Sequence, residues 1–376
     1  MTVAAAVRSW WGAELISQGR PDGIWAQARR PVTNEQLRRE IDILRGLFWA
    51  HGLRTGDTVA LRGRPSLTQL WSLFALWSVG VQEIQFQPGL GAEPRRELLK
   101  AIRPQYLVTF GHGDTTFVDE CAVLVRPLPG GRAASTSHCI VQFSSGTTGL
   151  PKAVGRTSES LLLELERLRM LDGMPVTGER VAVLGSTAHS FGLICGLLYA
   201  LDVGATVALP PASLVDVDVL LGTPAHFARL RGSRLHRLRL AVSSGAKLPF
   251  STYTGFLDEF GVRIGQAYGT TETGIIAGDL AGTHGPSAVG TPVPGVRIRV
   301  VGGVLHVHVP QSPYVRHDEE PWLGGWMSTG DRVDVDPETG LVRLHGRQPV
   351  DAGGGWTRFQ PRLGVGPGPV GSPLSA

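Results

Sequence analysis

The stretch "VQFSSGTTGLPKAV", residues 141–154, turns from an apolar run ending at Phe143 into a segment of two glycines, four hydroxyl residues, a proline and a lysine. A strand followed by a Gly/Ser/Thr-rich loop and then a helix is how a chain aims backbone N–H groups at phosphate oxygens. Ser144, Ser145, Thr147 and Thr148 can donate to such oxygens, Gly146 and Gly149 let the backbone approach, and Lys152 can supply positive charge. The spacing is not that of the usual P-loop, because the glycines are too close and Pro151 precedes the lysine. By itself such a loop is also compatible with a solvated turn.

The flanking sequence sets the fold class. Downstream, "SESLLLELERLRML" (158–171) has a helical pattern, and "RVAVLG" and "GATVALP" read as strands. Upstream, "VTNEQLRREIDILRGLFWAHGL" (32–53) carries Leu37, Ile41, Leu44 and Leu47 on one helical face, with Thr33 or Asn34 as N-cap and Gly52 as the stop. "GDTVALRG" (56–63) reads as a strand, "LTQLWSLFALWSVG" (67–80) as an apolar helix, and strands and helices continue to alternate up to "LRLAVSSGA" (238–246) and "GVRIGQAYGTTETG" (261–274). This alternation predicts an α/β chain of layered, parallel-rich sheets covered by helices. From about residue 290, "GVRIRVVGGVLHVHVP" and "GLVRLHGR" are short β runs without a helix between them, so residues 1–289 read as the α/β core and 290–346 as a small β-barrel-like subdomain. The tail from 347 to 376 is rich in Gly and Pro and lacks periodic apolar residues, which predicts no compact unit.

Composition narrows the function classes. The 376 residues are 42% hydrophobic and 18% charged, and the net charge of +4 is spread along the chain. No Lys/Arg run interleaves with aromatics, so the pattern does not point to nucleic acid. Of the 36 basic residues only Lys100, Lys152 and Lys247 are lysine. Cys121, Cys139 and Cys195 have no metal-like spacing, an odd number that fits reduced thiols in a cytoplasmic protein. The first residues lack the long apolar core of a signal peptide, and 191–209 reads as a buried helix and strand rather than a membrane span.

"FSSGTTGLPKAV" resembles the phosphate loop of the adenylate-forming superfamily, which includes acyl-CoA synthetases, adenylation domains of nonribosomal peptide synthetases, and luciferases. Further stretches resemble that family's motifs in the expected order. "QAYGTTETG" (266–274) is similar to its Y-G-x-T-E: Tyr268 offers a flat face to a purine beside Gly269 and Thr270, Thr271 can bind an α-phosphate oxygen, and Glu272 is a hard carboxylate suited to Mg²⁺. "STGDR" (328–332) matches T-G-D, whose Asp331 can accept hydrogen bonds from both ribose hydroxyls. In "SSGAKL" (243–248), Ser244, Gly245 and Ala246 correspond to the small residues beside adenine and acyl group, while Lys247 reads as a solvent-facing charge. "GTPVPGVRIRVV" (290–301) resembles the segment that opens the β subdomain and carries no chemistry. "TAHSFG" (187–192) resembles the pocket motif, with His189 and Phe191 flanking the carboxylate substrate; "TPAH" (223–226) falls near the same pocket. Amino-acid-activating members show Phe-Asp at that motif, the Asp pairing the substrate ammonium. Without that partner a buried ammonium is costly, which points to a fatty, aryl or other acid with no α-amino group.

The resemblance implies ATP and Mg²⁺ as cofactors, an acyl-AMP intermediate, and coenzyme A or a carrier-protein phosphopantetheine as the thiol acceptor. Lys152, Thr271 and Glu272 are then the catalytic candidates, with Arg347 among the ATP-binding residues. "LHGRQPV" (344–350) begins like the family's junction to a mobile C-terminal lid domain, but Gln348, Pro349 and Val350 depart from its hinge, and no lysine follows Lys247. The expectation is therefore a chain without the lid and its lysine, slowed by about 10²–10³-fold unless a separate lid domain or an acyl carrier protein completes it in trans. Two other readings are a remnant that only binds ATP or acyl-adenylate and, disfavoured by "AHSFG", an amino-acid adenylation module.

Overall fold

The computed structural model describes residues 10–347, except 88–89, 112–115, 145–151, 211, 213 and 316–321. The chain opens with α1 (Ala13–Ser17), β1 (Ile24–Gln27) and β2 (Pro31–Thr33), then α2 (Asn34–Ala50), β3 (Thr58–Gly63), α3 (Leu67–Val79), β4 (Gln82–Gln85), α4 (Ala92–Ile102), β5 (Tyr106–Phe110), β6 (Val123–Pro127) and β7 (His138–Ser144). Next come β8 (Lys152–Thr157), α5 (Ser158–Arg169), β9 (Arg180–Val183), a π-helix (Phe191–Leu198) that runs into α6 (Tyr199–Val203), β10 (Thr206–Ala208), β11 (Val219–Gly222), α7 (Pro224–Ala228), β12 (Leu240–Ser243) and α8 (Phe250–Phe260). The remainder is β: β13 (Ile264–Thr270), β14 (Gly274–Asp279), β15 (Thr291–Pro292), β16 (Ile298–Val301), β17 (Val304–His308), β18 (Trp322–Leu323), β19 (Trp326–Val335) and β20 (Val342–Arg347).

Among the described residues the strands form three sheets: nine strands ordered β15-β14-β13-β12-β11-β9-β10-β1-β2, six ordered β6-β5-β3-β4-β7-β8, and five built from β16 to β20. Both large sheets are parallel at their centres, as the strand–helix alternation predicts. β15 lies just past residue 289 yet pairs with β14 in the nine-stranded sheet.

Local sequence explains the helices. Thr33 is the N-cap of α2 and accepts from Gln36 N at 3.1 Å, while Leu37, Ile41 and Leu44 are buried. Ser66 and Thr157 cap α3 and α5 in the same way. Helix α3 is apolar on nearly every side and buried almost throughout, as a helix without a polar face must be. It lies with α2, α5 and the π-helix in a core that joins β3 of one large sheet to β9 and β11 of the other. Separate cores under α7 and α8, and under α4, cover the opposite faces of the nine- and six-stranded sheets. No helix among the described residues is long and apolar enough to cross a membrane.

β4 is polar yet wholly buried. Gln82 Nε2 donates to Thr136 Oγ1 and His138 O, both at 3.0 Å, and Gln85 Oε1 accepts from Gln142 Nε2 at 3.1 Å. Glu83 is fully buried, and neither carboxyl oxygen makes a hydrogen bond of good geometry. Burial pushes its pKa well above the carboxylate range, against a smaller opposing pull from the Gln85 amide. The folded chain then keeps a proton that the unfolded chain releases, so stability falls as pH rises from the ordinary carboxylate pKa toward the raised one. Glu83→Gln removes this loss. In thermal unfolding between pH 5 and 8, the stability of the variant should gain on the wild type by about 1.4 kcal/mol per pH unit within that window, which for a chain of this length is about 2 °C in melting temperature. A difference that stays constant with pH would mean that the Glu83 carboxyl titrates normally.

Candidate active site

Strands β13, β12, β11 and β9 are consecutive and mutually parallel, so the loops at their C-terminal ends leave the same edge of the sheet. That edge is where open α/β sheets bind ligands. The sequence-predicted residues gather there: Gly185 to His189 after β9, Thr223 to His226 after β11, Ser243 to Ala246 at the end of β12, and Tyr268 to Glu272 at the end of β13. Ser244 N donates to Gly222 O at 2.9 Å, which ties the third loop to the second. Gly245, Ala246 and Lys247 are exposed. At the end of β13, the Thr270 and Thr273 hydroxyls lie 3.1 Å apart and close the turn that presents Thr271 and Glu272.

The five-stranded sheet supplies the opposite wall. Asp331, on β19, is nearly buried; its Oδ2 accepts from Tyr268 Oη at 2.7 Å and its Oδ1 from Arg347 Nε at 2.8 Å. Each carboxylate oxygen thus keeps a second acceptor site. Burial first, and then the Asp331 charge, push the Tyr268 pKa far up, so its hydroxyl stays a donor. Burial alone would lower the Arg347 pKa, but Asp331, Glu272 and Tyr268 together outweigh it and raise it. Glu272 is therefore within electrostatic reach of Arg347, and Tyr268, Glu272, Asp331 and Arg347 form one cluster drawn from two sheets.

The six-stranded sheet supplies the third side. Gln87 Nε2 donates to Phe143 O at 3.2 Å and to His189 Nδ1 at 3.2 Å, and Gln142 Nε2 donates to Ala188 O at 2.8 Å. These bonds bolt the "TAHSFG" loop to the end of β7. With Nδ1 accepting from an amide, the neutral His189 imidazole carries its proton on Nε2. His226 takes the same tautomer, since Thr223 N donates to its Nδ1 at 3.2 Å. Surrounding protein lowers both histidine pKa values, His226 also through Arg229 and His189, although the His189 side chain remains open to solvent. The arrangement presents two neutral imidazoles rather than cations. Phe191 is half-buried at the start of the π-helix.

β7 and β8 form the antiparallel stem of the glycine-rich loop, with Ser144 opposite Lys152. Lys152 Nζ sits 5.7 Å from the centroid of the Tyr314 ring, in cation–π range. Ser145, Gly146, Thr147, Thr148 and Gly149 lie outside the described residues, as do Gln348 to Val350 and the tail. No group of three or more His, Cys, Asp or Glu side chains among the described residues could hold a metal ion. A single carboxylate, Glu272, fits Mg²⁺ that arrives with substrate phosphate oxygens and its own waters. Gln87 and Gln142 are not evident as site residues from the motifs. The signal was the alternation of glutamine in "QEIQFQ" (82–87), too polar for an ordinary buried strand.

Residues 18–311 match the AMP-binding enzyme family. Benzoate–CoA ligase of Thauera aromatica is 29% identical over 293 residues, covering 67% of this chain and 53% of the ligase. Anthranilate–CoA ligase of Pseudomonas aeruginosa is 30% identical over 256 residues, covering 58% of this chain and 48% of the ligase. The chain thus spans about half the length of these curated relatives. In fold, it resembles the O-succinylbenzoate coenzyme A synthetase of Bacillus subtilis in complex with AMP (TM-score 0.76, 20% identity, 90% of this chain and 78% of that one). It also resembles an anthranilate CoA ligase in complex with anthranoyl-AMP (TM-score 0.74, 19% identity, 92% and 79%). With a family match that covers residues 18–311, most of its length, this chain belongs to the AMP-binding enzyme family.

Proposed function

We propose that this chain activates a carboxylic acid without an α-amino group. The acid carboxylate attacks the α-phosphorus of ATP, the bond to the bridging oxygen breaks, and acyl-AMP and pyrophosphate form. A thiol, of coenzyme A or of a carrier-protein phosphopantetheine, then takes the acyl group and releases AMP. The observation that carries this reading is the Asp331 carboxylate, oriented by Tyr268 and Arg347 at the ligand edge of the sheet with acceptor sites to spare for a ribose diol.

The roles follow from the chemistry of each group. Asp331 and Arg347 hold the ribose, and Tyr268, with Gly245, Ala246 and Gly269, borders the purine. Lys152 and Ser144, at the stem of the glycine-rich loop, are assigned to the triphosphate together with the loop motif, and Thr270 and Thr271 to the α-phosphate. Glu272 would hold Mg²⁺, which supplies charge neutralisation at the phosphates. His189, Phe191, Ser244 and Gly245 border the acid, and the neutral His189 has an Nε2 proton to donate in a hydrogen bond to its carboxylate. The attacking carboxylate is already ionised, so positioning and charge stabilisation are the whole task. In this reading 1–289 is the adenylate-binding core, 290–346 the subdomain that carries Asp331, and a separate lid domain, which would serve both steps, or an acyl carrier protein is a partner. The aryl–CoA ligases among its relatives favour an aromatic acid.

Pyrophosphate release with a panel of aryl, fatty and amino acids tests the reading. The expected result is release that depends on an acid without an α-amino group, with the matching acyl-AMP seen by mass spectrometry. Tight binding of an acyl-adenylate analogue without any acid-dependent pyrophosphate would make the chain a binding protein instead.

A further inference from the structure

We propose that Glu164, paired with Arg156, is a positioning residue that sets the height of the turn carrying Thr271 and Glu272 relative to the stem of the glycine-rich loop. The proposal rests on the adenylate-forming reading above.

Arg156 lies on β8, the strand that leaves the glycine-rich loop at Lys152. Glu164 lies on α5, which follows at once. Arg156 Nη2 is 2.7 Å from Glu164 Oε2, and both side chains are almost fully buried, at 6% and 7% exposure. Arg156 is itself anchored, since its Nε donates to Ser160 Oγ at 3.1 Å and its Nη2 to Ser160 O at 3.0 Å. The other carboxylate oxygen reaches across the molecule: Glu164 Oε1 accepts from Ile275 N at 3.2 Å. The residue before Ile275 fits around the same carboxylate. Gly274 has φ +71°, and a Cβ placed on it would fall 2.2 Å from Glu164 Oε2. The end of the Thr271–Glu272 turn is thus seated directly on the Glu164 carboxylate. One turn further along α5, Arg167 Nη2 donates to Gly295 O at 3.0 Å, so a single helix touches both the turn and the segment leading to the five-stranded sheet.

Stability does not account for this pair. Burying two charges costs desolvation, and an apolar pair of similar volume often leaves a fold as stable or more so. What apolar side chains cannot do is accept the Ile275 N–H at a fixed height while filling the concavity of Gly274. A shift of the turn moves Thr271 and Glu272 more than Asp331, which lies on β19 and is held by Tyr268 and Arg347. A displacement of such groups by about 1 Å can cost up to about 100-fold in positioning-dependent chemistry.

The test uses the full chain with Glu164→Ala, Glu164→Gln and the double variant Arg156→Met/Glu164→Met. Hydrogen exchange is read at residues 270–276, and affinities for adenosine and for AMP are measured with Mg²⁺ by calorimetry. In Glu164→Ala, exchange at Ile275 should accelerate and AMP affinity should fall by about tenfold or more, while adenosine affinity stays within about twofold. Glu164→Gln, whose side-chain carbonyl can still accept from Ile275 N, should recover most of the AMP affinity. The double variant leaves no buried charge unpaired, so it should melt above Glu164→Ala and still show the AMP loss with adenosine affinity kept, which a purely structural role would not produce. Unchanged exchange at Ile275, or equal losses for AMP and adenosine, would overturn the proposal. A wild type that binds neither nucleotide sinks the adenylate reading itself, even with Ile275 protected.

Discussion

Asp331→Ala is expected to weaken ATP binding by about 100-fold or more, against less than about twofold for Lys247→Ala. Hydrogen bonds to a charged group contribute about 1.5–3 kcal/mol each, so two ribose hydroxyls on one carboxylate give at least about 3 kcal/mol, with 1.4 kcal/mol per factor of ten. The geometry strengthens the case. Tyr268 Oη and Arg347 Nε already take one acceptor site on each oxygen, at 2.7 and 2.8 Å, so the carboxylate is held in one orientation before ATP arrives. Its loss also leaves the Tyr268 hydroxyl and the Arg347 guanidinium without their partner. Asp331→Asn keeps one acceptor oxygen and should fall between the two variants. Lys247 is exposed beyond the end of β12, where a single charge is screened by water. Calorimetric titration with ATP, run beside a thermal melt to confirm folding, checks the ranking. Equal effects at Asp331 and Lys247 would remove the ribose role.

Gly290→Ala should destabilise the chain by about 4 kcal/mol or more, at the extreme of single substitutions. Gly290 has φ +97°, and a Cβ there would fall 1.9 Å from the Gly278 carbonyl oxygen of β14. The obstacle is backbone inside a sheet, which cannot rotate aside as a side chain would. Gly290 is also the seam between two sheets, since Val342 N donates to Gly290 O at 2.8 Å and Val289 N to Val342 O at 2.9 Å. Relief of the clash must therefore move β20 and, with it, the partner of Asp331. The expected outcome is loss of folded protein or a large drop in melting temperature, with any surviving fold impaired in ATP binding. A variant that melts within about 1 °C of wild type, a difference below about 1 kcal/mol for a chain of this length, would mean that the seam opens at little cost.

Much of the fold was legible from local pattern. Leu37, Ile41 and Leu44 recur at helical spacing and are buried together, because a helix stripe three or four residues apart faces one way whatever it packs against. Thr33 and Gly80 mark helix ends, since capping is settled within a few residues. The pairing of β15 with the nine-stranded sheet was not legible, because two residues carry no periodicity. Nor was the π-helix at Phe191–Leu198, whose apolar run reads equally well as an α-helix.

The same division runs through the site. Sequence by itself determined the motifs from Phe143 to Asp331, their order, and hence the family, because the glycine-rich loop, the Y-G-x-T-E turn and the T-G-D aspartate are each a short local pattern. Only the tertiary structure decided which residues hold those motifs in place. Gln87 meets His189 across 102 positions, Glu164 meets Ile275 across 111, and Tyr268 meets Asp331 across 63. Each contact depends on strand order and on which sheet a strand joins. Those are set by the summed packing of the cores, so no window of sequence around either partner contains them.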